Sequence, residues 1–171
     1  MTRPPKYSFR QATPADLLLL ADWRKAAHVA RWWGEGESYS QEDLAEPRVT
    51  MMIVSLDDRP FAYMQDYTVH GWDDHHFAGL PHGSRGIDQF IGPSDMIGKG
   101  HGPAFIAQRV HSLFEAGAPV VATDPHPDNA SAIRAYEKAG FAISGQPQDT
   151  AWGRIVPMLA HRLEAMRQST P

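Results

Sequence analysis

Three glycines in five residues, Gly98-Lys99-Gly100-His101-Gly102, stand between a strand pattern and a helical pattern. That feature constrains the fold more than any other in the chain. Glycine reaches backbone conformations closed to other residues, and without side chains the backbone can approach a ligand closely. A helix that starts there presents amide N–H groups with no intrahelical partner, a ready cradle for an anion. Taken alone, the three glycines fit a plain turn equally well. No Lys-Ser or Lys-Thr closes the loop as in a Walker loop, and G-x-G-x-G is not the dinucleotide spacing.

Around this turn the patterns alternate. Residues 6–12 read as a strand. Thr13-Pro14-Ala15-Asp16 carries an N-cap, a proline at the first helical position and an acid in the first turn, and the helix behind it runs to about Ala30. Ser40-Gln41-Glu42-Asp43 caps a short second helix. Residues 49–56 and 61–69 are strands separated by a turn at Asp57-Asp58-Arg59-Pro60. Residues 70–84, polar and rich in His and Gly, form a loop long enough to suggest function. Residues 85–92 are a strand, a helix runs from the glycine turn to about Ala116, and 120–123 is a short strand. Residues 127–139 are a helix closed by Gly140, and 141–144 and 152–159 are the last strands. The succession predicts an α/β (α+β) domain with a mixed sheet, and residues 1–171 are expected to form one domain.

Charge is distributed unevenly. Residues 35–95 hold twelve carboxylates against Arg48, Arg59 and Arg85, a net −9, whereas the whole 171-residue chain carries only −4. A nucleic-acid binder would show a basic stripe; this is the reverse. The acidic block is either a solvated face or a surface that attracts a polycation. The longest purely apolar run is Leu17-Leu18-Leu19-Leu20-Ala21, too short to span a membrane. No apolar stretch follows Met1–Lys6, so no secretory leader is expected and a cytoplasmic location is the default. Cysteine is absent, which removes disulfides, thiolate zinc sites and a cysteine nucleophile.

Asn129-Ala130-Ser131-Ala132-Ile133-Arg134-Ala135-Tyr136-Glu137-Lys138-Ala139-Gly140-Phe141 lies about thirty residues beyond the glycine turn. In that order and separation the two motifs resemble the acetyl-CoA signature of the GCN5-related N-acetyltransferase (GNAT) superfamily. The resemblance covers nearly the whole chain. It implies a GNAT-like fold, a central, mostly antiparallel mixed sheet flanked by helices, with acetyl-CoA as cosubstrate. The amides of Gly98, Lys99, Gly100, His101, Gly102 and Pro103's turn would hold the pyrophosphate. Phe90 and Ile91 on the preceding strand, with Asn129 and Ala132, would line the pantetheine arm. Tyr136 would protonate the leaving thiolate, a step open to a phenol of pKa ~10 facing a thiol of about 8–9. Ile97 departs from the pattern, which places Gln or Arg there, so one side-chain contact to the cofactor is missing.

Arg85-Gly86-Ile87-Asp88-Gln89-Phe90-Ile91-Gly92 and Thr123-Asp124-Pro125-His126-Pro127-Asp128-Asn129 are similar to the aminoglycoside 6′-N-acetyltransferases in particular. So are Trp32-Trp33-Gly34 and the Tyr63–Tyr67 strand followed by Trp72-Asp73-Asp74. The resemblance makes Asp88 the general base or anchor of the attacking amine, and Asp124 a second carboxylate facing the sugar. Asp73 and Asp74 would add charge at the mouth, and Trp32, Trp33, Tyr67 and Trp72 would offer flat faces to sugar rings.

The residues support part of this without the family. An ammonium cannot attack a thioester until it loses a proton, and a strand-borne carboxylate can accept it. A charged Asp88 among Ile87, Phe90 and Ile91 is costly unless a partner or a function compensates; Arg85 is the obvious partner. Asp124 could equally be an Asx turn before Pro125 or a helix N-terminal charge. One of the adjacent tryptophans belongs in the core. His70, His75, His76 and His82 show no metal-ligand spacing, and read as a solvated or pH-sensitive loop. No metal is expected. The expected activity is acetyl-CoA-dependent acetylation of an aminoglycoside 6′-amine, conferring antibiotic resistance, by direct transfer in a ternary complex. Acetylation of another small amine, and a non-catalytic module that binds CoA or a drug, are the alternatives. Monomer and homodimer stay open.

Overall fold

A computed structural model describes residues 7–163. Its centre is a seven-stranded sheet in the order β1-β2-β3-β4-β5-β9-β6. The strands are β1 (Tyr7–Gln11), β2 (Val49–Leu56), β3 (Arg59–Thr68), β4 (Arg85–Ile91), β5 (Val120–Thr123), β6 (Ala142–Ile143) and β9 (Met158–His161). β7 (Gln148–Thr150) and β8 (Gly153–Ile155) form a separate hairpin. Helices α1 (Leu17–Lys25), α2 (Ala27–Trp33), α3 (Gln41–Leu44), α4 (His101–Glu115) and α5 (Ala130–Lys138) complete the chain. The mixed sheet expected from the alternation is present and is mostly antiparallel, as the family resemblance implies, and a strand or helix stands in each segment expected to hold one. Lys6 of the expected first strand, the Met1–Lys6 leader question and the chain beyond Leu163 lie outside the described residues.

The sheet sorts its side chains by the strand period of two. Met52, Val54, Ala62, Met64 and Ile87 share one core with Phe105, Ile106, Val110 and Leu113 of α4 and with Tyr136 of α5. Met51, Ile53, Tyr63 and Phe90 face the other way and pack with Leu20, Trp23 and Val29. The β2–β3 hairpin turns on Asp57 and Asp58, at φ 46° and 69°. Two left-handed residues in succession match the twist of the flanking strands, and Asp tolerates them better than most. Arg59 and Pro60, expected in the turn, already belong to β3. Pro60 sits where the register shifts, so its missing N–H breaks no ladder.

The expected single helix to Ala30 is two helices. Ala26 adopts φ −62°, ψ 132° between them; its N–H bonds Trp23 O, and its carbonyl receives Val29 and Ala30. No glycine or proline marks this break. It is fixed by contacts distant in sequence, for Val29 is buried and His28 Nε2 lies 2.9 Å from the Ile91 carbonyl. Asn129 caps α5 by accepting from the Ala132 N–H, so the helix starts three residues later than expected. Gly140, at φ 104°, ends it. The expected strand 152–159 is interrupted at Val156-Pro157, whose backbone bonds outside the strand: Val156 N–H to Pro125 O and Pro157 O to Ser144 N–H.

β4 and β5 are the parallel pair, and they are joined only at Arg85↔Val121 and Gly86↔Ala122. Beyond Ala122 they separate, with Thr123 Oγ1 donating to Ile87 O across the start of the gap. Gly92 N–H bonds Phe61 O on the β3 side. By the alternation of an antiparallel ladder, the backbone groups of Gln89 and Ile91 therefore face the gap.

Candidate active site

A cavity of about 510 Å³ opens at this separation. Asp88 and Gln89 reach it from β4, Gln65 and Tyr67 from β3, and Asp124, Pro125 and His126 from the end of β5. Trp32 and Trp33 come from α2, Asn129, Ala132 and Tyr136 from α5, Trp72, His75 and His76 from the loop after β3, and Trp152 and Ile155 from the β7–β8 hairpin. Among the described residues the lining holds two carboxylates and no lysine or arginine.

Asp88 does not pair with Arg85. Arg85 and Arg109 both bond Asp66, which is buried against α4, and this triad consumes the base that sequence made the natural partner of Asp88. Asp88 accepts instead from Gln65 Nε2 at 2.9 Å, and Gln65 Oε1 takes the Tyr63 hydroxyl at 2.6 Å. Burial, then the Asp124 carboxyl beside it, push the Asp88 carboxyl well above the ordinary carboxylate range. Such a group holds its proton more firmly than a surface acid, so once ionised it is a stronger base.

Asp124 receives His76 Nε2 at 2.7 Å. His75 stacks on His76 with ring centres 4.3 Å apart. Burial, with His76 beside it, lowers the His75 pKa to about 4. The two loop histidines are thus packed into the wall, whereas His70 and His82 are exposed. The reading of the cluster as a solvated surface is corrected for His75 and His76: the aromatic rings of Tyr67, Trp72, Phe77 and Trp152 enclose them.

Tyr136 is buried and donates to Gln89 Oε1 at 3.0 Å. Burial and the charge of Asp88 push its phenol above the ordinary value. It stays neutral and is a weaker acid than the free side chain.

Of the adjacent tryptophans, Trp33 packs edge-on against Tyr63 and Phe90 in the core, while Trp32 lies beside His126 with the Arg31 guanidinium 4.7 Å from its ring centre. Trp72 is covered by Arg48, 4.6 Å from its centre. Tyr67 is buried with its ring over Gly86, where a Cβ would come within 2.2 Å of it. Asp73 and Asp74 are exposed and lie outside the cavity lining.

At the glycine turn, Gly98 and Gly100 have φ of 72° and 80°, and a Cβ on either, or on Gly102, would meet no atom within 4 Å. The backbone there is open to an approaching group, with Lys99 and Ile97 exposed. Beside it, His101 turns inward: its Nδ1 lies 2.8 Å from the Tyr7 hydroxyl, so its side chain is engaged in the core rather than aimed at a phosphate. Pro103 occupies the first turn of α4. Phe90 is a core residue whose backbone groups face β3, so it offers the gap neither side chain nor backbone, whereas Ile91 is half-buried and its backbone faces the gap. An open glycine turn, an unpaired strand edge and Asn129 at the head of α5 fit an extended phosphate-bearing arm. Among the described residues no group of three His, Cys, Asp or Glu could hold a metal.

Gln65, Gln89, His76 and Trp152 were not assigned to the site from sequence. Gln65 was within reach, because it shares a strand face with Tyr63 and Tyr67. His76 and Trp152 were not, because a loop and a detached hairpin have no periodicity that reveals a face.

Comparison with known proteins agrees with this geometry. The family model described as acetyltransferase (GNAT) domain matches residues 12–148. An aminoglycoside N(6′)-acetyltransferase type 1 of Klebsiella pneumoniae is 34% identical over 154 residues, covering 81% of this chain and 75% of the relative. The crystal structure of aminoglycoside acetyltransferase AAC(6′)-Ib in complex with coenzyme A superposes with a TM-score of 0.83 at 34% identity, covering 92% of this chain and 95% of that one. A spermidine N-acetyltransferase of Vibrio cholerae shares the fold at a TM-score of 0.70 and 15% identity, covering 91% and 95% of the two chains. The family model over residues 12–148 and the relative 34% identical over most of the sequence place this chain in the GNAT acetyltransferase family.

Proposed function

We propose that the chain acetylates an aminoglycoside from acetyl-CoA, at the 6′-amine, by direct transfer in a ternary complex, with residues 1–171 acting as one catalytic domain in the cytoplasm. The observation that carries this reading is the pair Asp88 and Asp124 on the floor of an aromatic-walled cavity whose described lining has no lysine or arginine. Such a site takes a polyamine sugar: carboxylates meet ammonium groups, and flat rings meet the sugar faces. Relatives named aminoglycoside N(6′)-acetyltransferase, and one named kanamycin resistance protein from Rhizobium radiobacter, 44% identical over 64 residues and covering 37% of this chain, support it.

When bound, acetyl-CoA supplies a thioester carbonyl and a thiolate leaving group. The amides of Gly98 to Gly102 hold its pyrophosphate, and the gap-facing backbone of Gln89 and Ile91, with Asn129 and Ala132, lines the arm. Asp88, ionised, takes a proton from the substrate ammonium and exposes the nitrogen lone pair. The nitrogen loses two protons in becoming an amide; one ends on the CoA thiol and one leaves through Asp88. Tyr136 faces the departing sulfur. Its raised phenol makes full proton transfer to a thiolate uphill, so it acts mainly by hydrogen bonding, its hydroxyl exchanging Gln89 Oε1 for the sulfur. Every group used comes from one chain.

The test is thiol release with acetyl-CoA and a panel of kanamycin, tobramycin, spermidine and a hydroxylamine, with products mapped by NMR. Acetylation of the drugs at the 6′ nitrogen is the expected result. Turnover of spermidine alone would replace the substrate, and heat stabilisation by CoA without thiol release would make the chain a binding module.

A further inference from the structure

His76 is built into the cavity wall with unusual firmness for a residue in a connecting loop. Its side chain is only 7% exposed. The ring is stacked on His75 at 4.3 Å and tilted against Phe77 at 4.4 Å. Its Nδ1 is buried and has no hydrogen-bond partner among the described residues. Leaving a buried ring nitrogen unsatisfied is costly, so the ring is held there by its other contacts. The polar contact that remains is Nε2 to Asp124 Oδ2, at 2.7 Å. Asp124 follows the last residue of β5, where the chain leaves the sheet. It lines the same cavity as Asp88, near enough to raise that carboxyl's pKa. Two neighbouring carboxylates repel unless each is held by a donor. Gln65 holds Asp88 and His76 holds Asp124.

We propose that His76 is a positioning residue for the acceptor amine: by donating Nε2–H to one oxygen of Asp124 it fixes that carboxylate beside Asp88, so that together they cup the substrate's ammonium groups. The inference deepens the acetyl-transfer reading and rests on it for its kinetic arm. His76 need not touch the substrate; it acts through Asp124. No motif marks it, and it lies outside the residues that sequence assigned to the site.

The experiment compares wild type with His76→Leu, His76→Gln, Asp124→Asn and the double variant His76→Leu/Asp124→Asn, using kanamycin and acetyl-CoA. His76→Leu is expected to raise KM for kanamycin about tenfold while moving KM for acetyl-CoA less than about twofold. Glutamine, whose amide can replace Nε2–H, restores most of the loss. In the Asp124→Asn background the leucine change costs little more, because residues acting as a unit are not additive. Equal rises in both KM values, no rescue by glutamine, or full additivity would overturn the proposal. Should wild type release no thiol with kanamycin, the acetyl-transfer reading fails by itself, and calorimetric binding of kanamycin to the same proteins decides about His76: the same ranking upholds it, while an identical or absent affinity in all of them sinks it. Should the leucine variant not fold, the 15N shifts of the wild-type ring decide, since a proton on Nε2 is required and a bare Nε2 refutes the contact.

Discussion

Asp88 is a residue that the fold tolerates at a loss. Its carboxyl is raised well above the ordinary range, first by burial and then by Asp124. Above the unfolded value of about 3.9, the unfolded chain has released this proton while the folded chain still holds it. The folded state then binds more protons, so stability declines as pH rises from about 4 through the raised value, and above that value the whole penalty remains. Asp88→Asn removes the ionisation and keeps a partner for Gln65. It is therefore expected to raise Tm by several degrees at pH 8, to change it little at pH 4, and to lower kcat by two or more orders of magnitude. Melting curves at the two pH values and thiol release at saturating substrates check both halves. A Tm gain that is largest at pH 4 would contradict the linkage, and unchanged turnover would remove Asp88 from the chemistry. Sequence singled this residue out because a charge stood in an apolar strand. It could not choose between a salt bridge and a function, for that choice depended on Asp66 and Arg109, which are distant in sequence and reach Arg85 only in the folded sheet.

Among the elements, the glycine turn separates backbone need from ligand need. Gly100 sits at φ 80° as the N-cap of α4, whereas Gly102 is inside the helix, and neither would bring a Cβ against any atom. Alanine at 100 must adopt the left-handed region, at a cost of about 1–2 kcal/mol. Alanine at 102 has no such penalty and gains up to about 1 kcal/mol in helix propensity. Opposite signs in urea denaturation are the expected outcome, together with a rise of about threefold or more in KM for acetyl-CoA for both variants, since each Cβ projects into the open space proposed for the pyrophosphate. A Gly102→Ala enzyme that is stabilised and keeps its KM would move the cofactor away from this turn. Elements with local signals were legible in the sequence: the Ser40 cap, the glycine that ends α5 and the Asp57-Asp58 hairpin. Boundaries set by tertiary contacts were not. The break at Ala26 has no breaker residue, and the β7–β8 hairpin has only three residues per strand, too few for a period to show. The separation of β4 from β5, on which the site depends, has no local signature at all, because it follows from where two strands stop pairing.

Across the whole molecule, the acidic stretch from 35 to 95 gains its meaning from how its few bases are used. Arg48 is bonded to Glu46, Arg59 to Asp95 and Arg85 to Asp66. Every base of the stretch is thus matched to an acid of the same stretch, and against the remaining −9 stands Arg109, bonded from α4 to Asp66. Asp73 and Asp74 belong to this excess: exposed and outside the lining, they act on a ligand at a distance rather than by contact. A field of that sign draws a polycation toward the cavity and repels other anions, and it weakens as the Debye length contracts from about 14 Å near 0.05 M salt toward about 4 Å near 0.5 M. For a drug carrying several positive charges, kcat/KM at saturating acetyl-CoA is expected to fall about tenfold or more over that range. For acetyl-CoA, itself an anion, it should hold steady or rise. The contrast between the two substrates separates steering from a general effect of salt on the enzyme, which would move both in the same direction. Neutralising Asp73 and Asp74 together, as Asn, should flatten the drug's salt dependence while leaving kcat within about twofold, because neither side chain reaches the cavity. An equally steep slope in that double variant would locate the attraction in Asp88 and Asp124 alone, at the floor of the site and not across the surface.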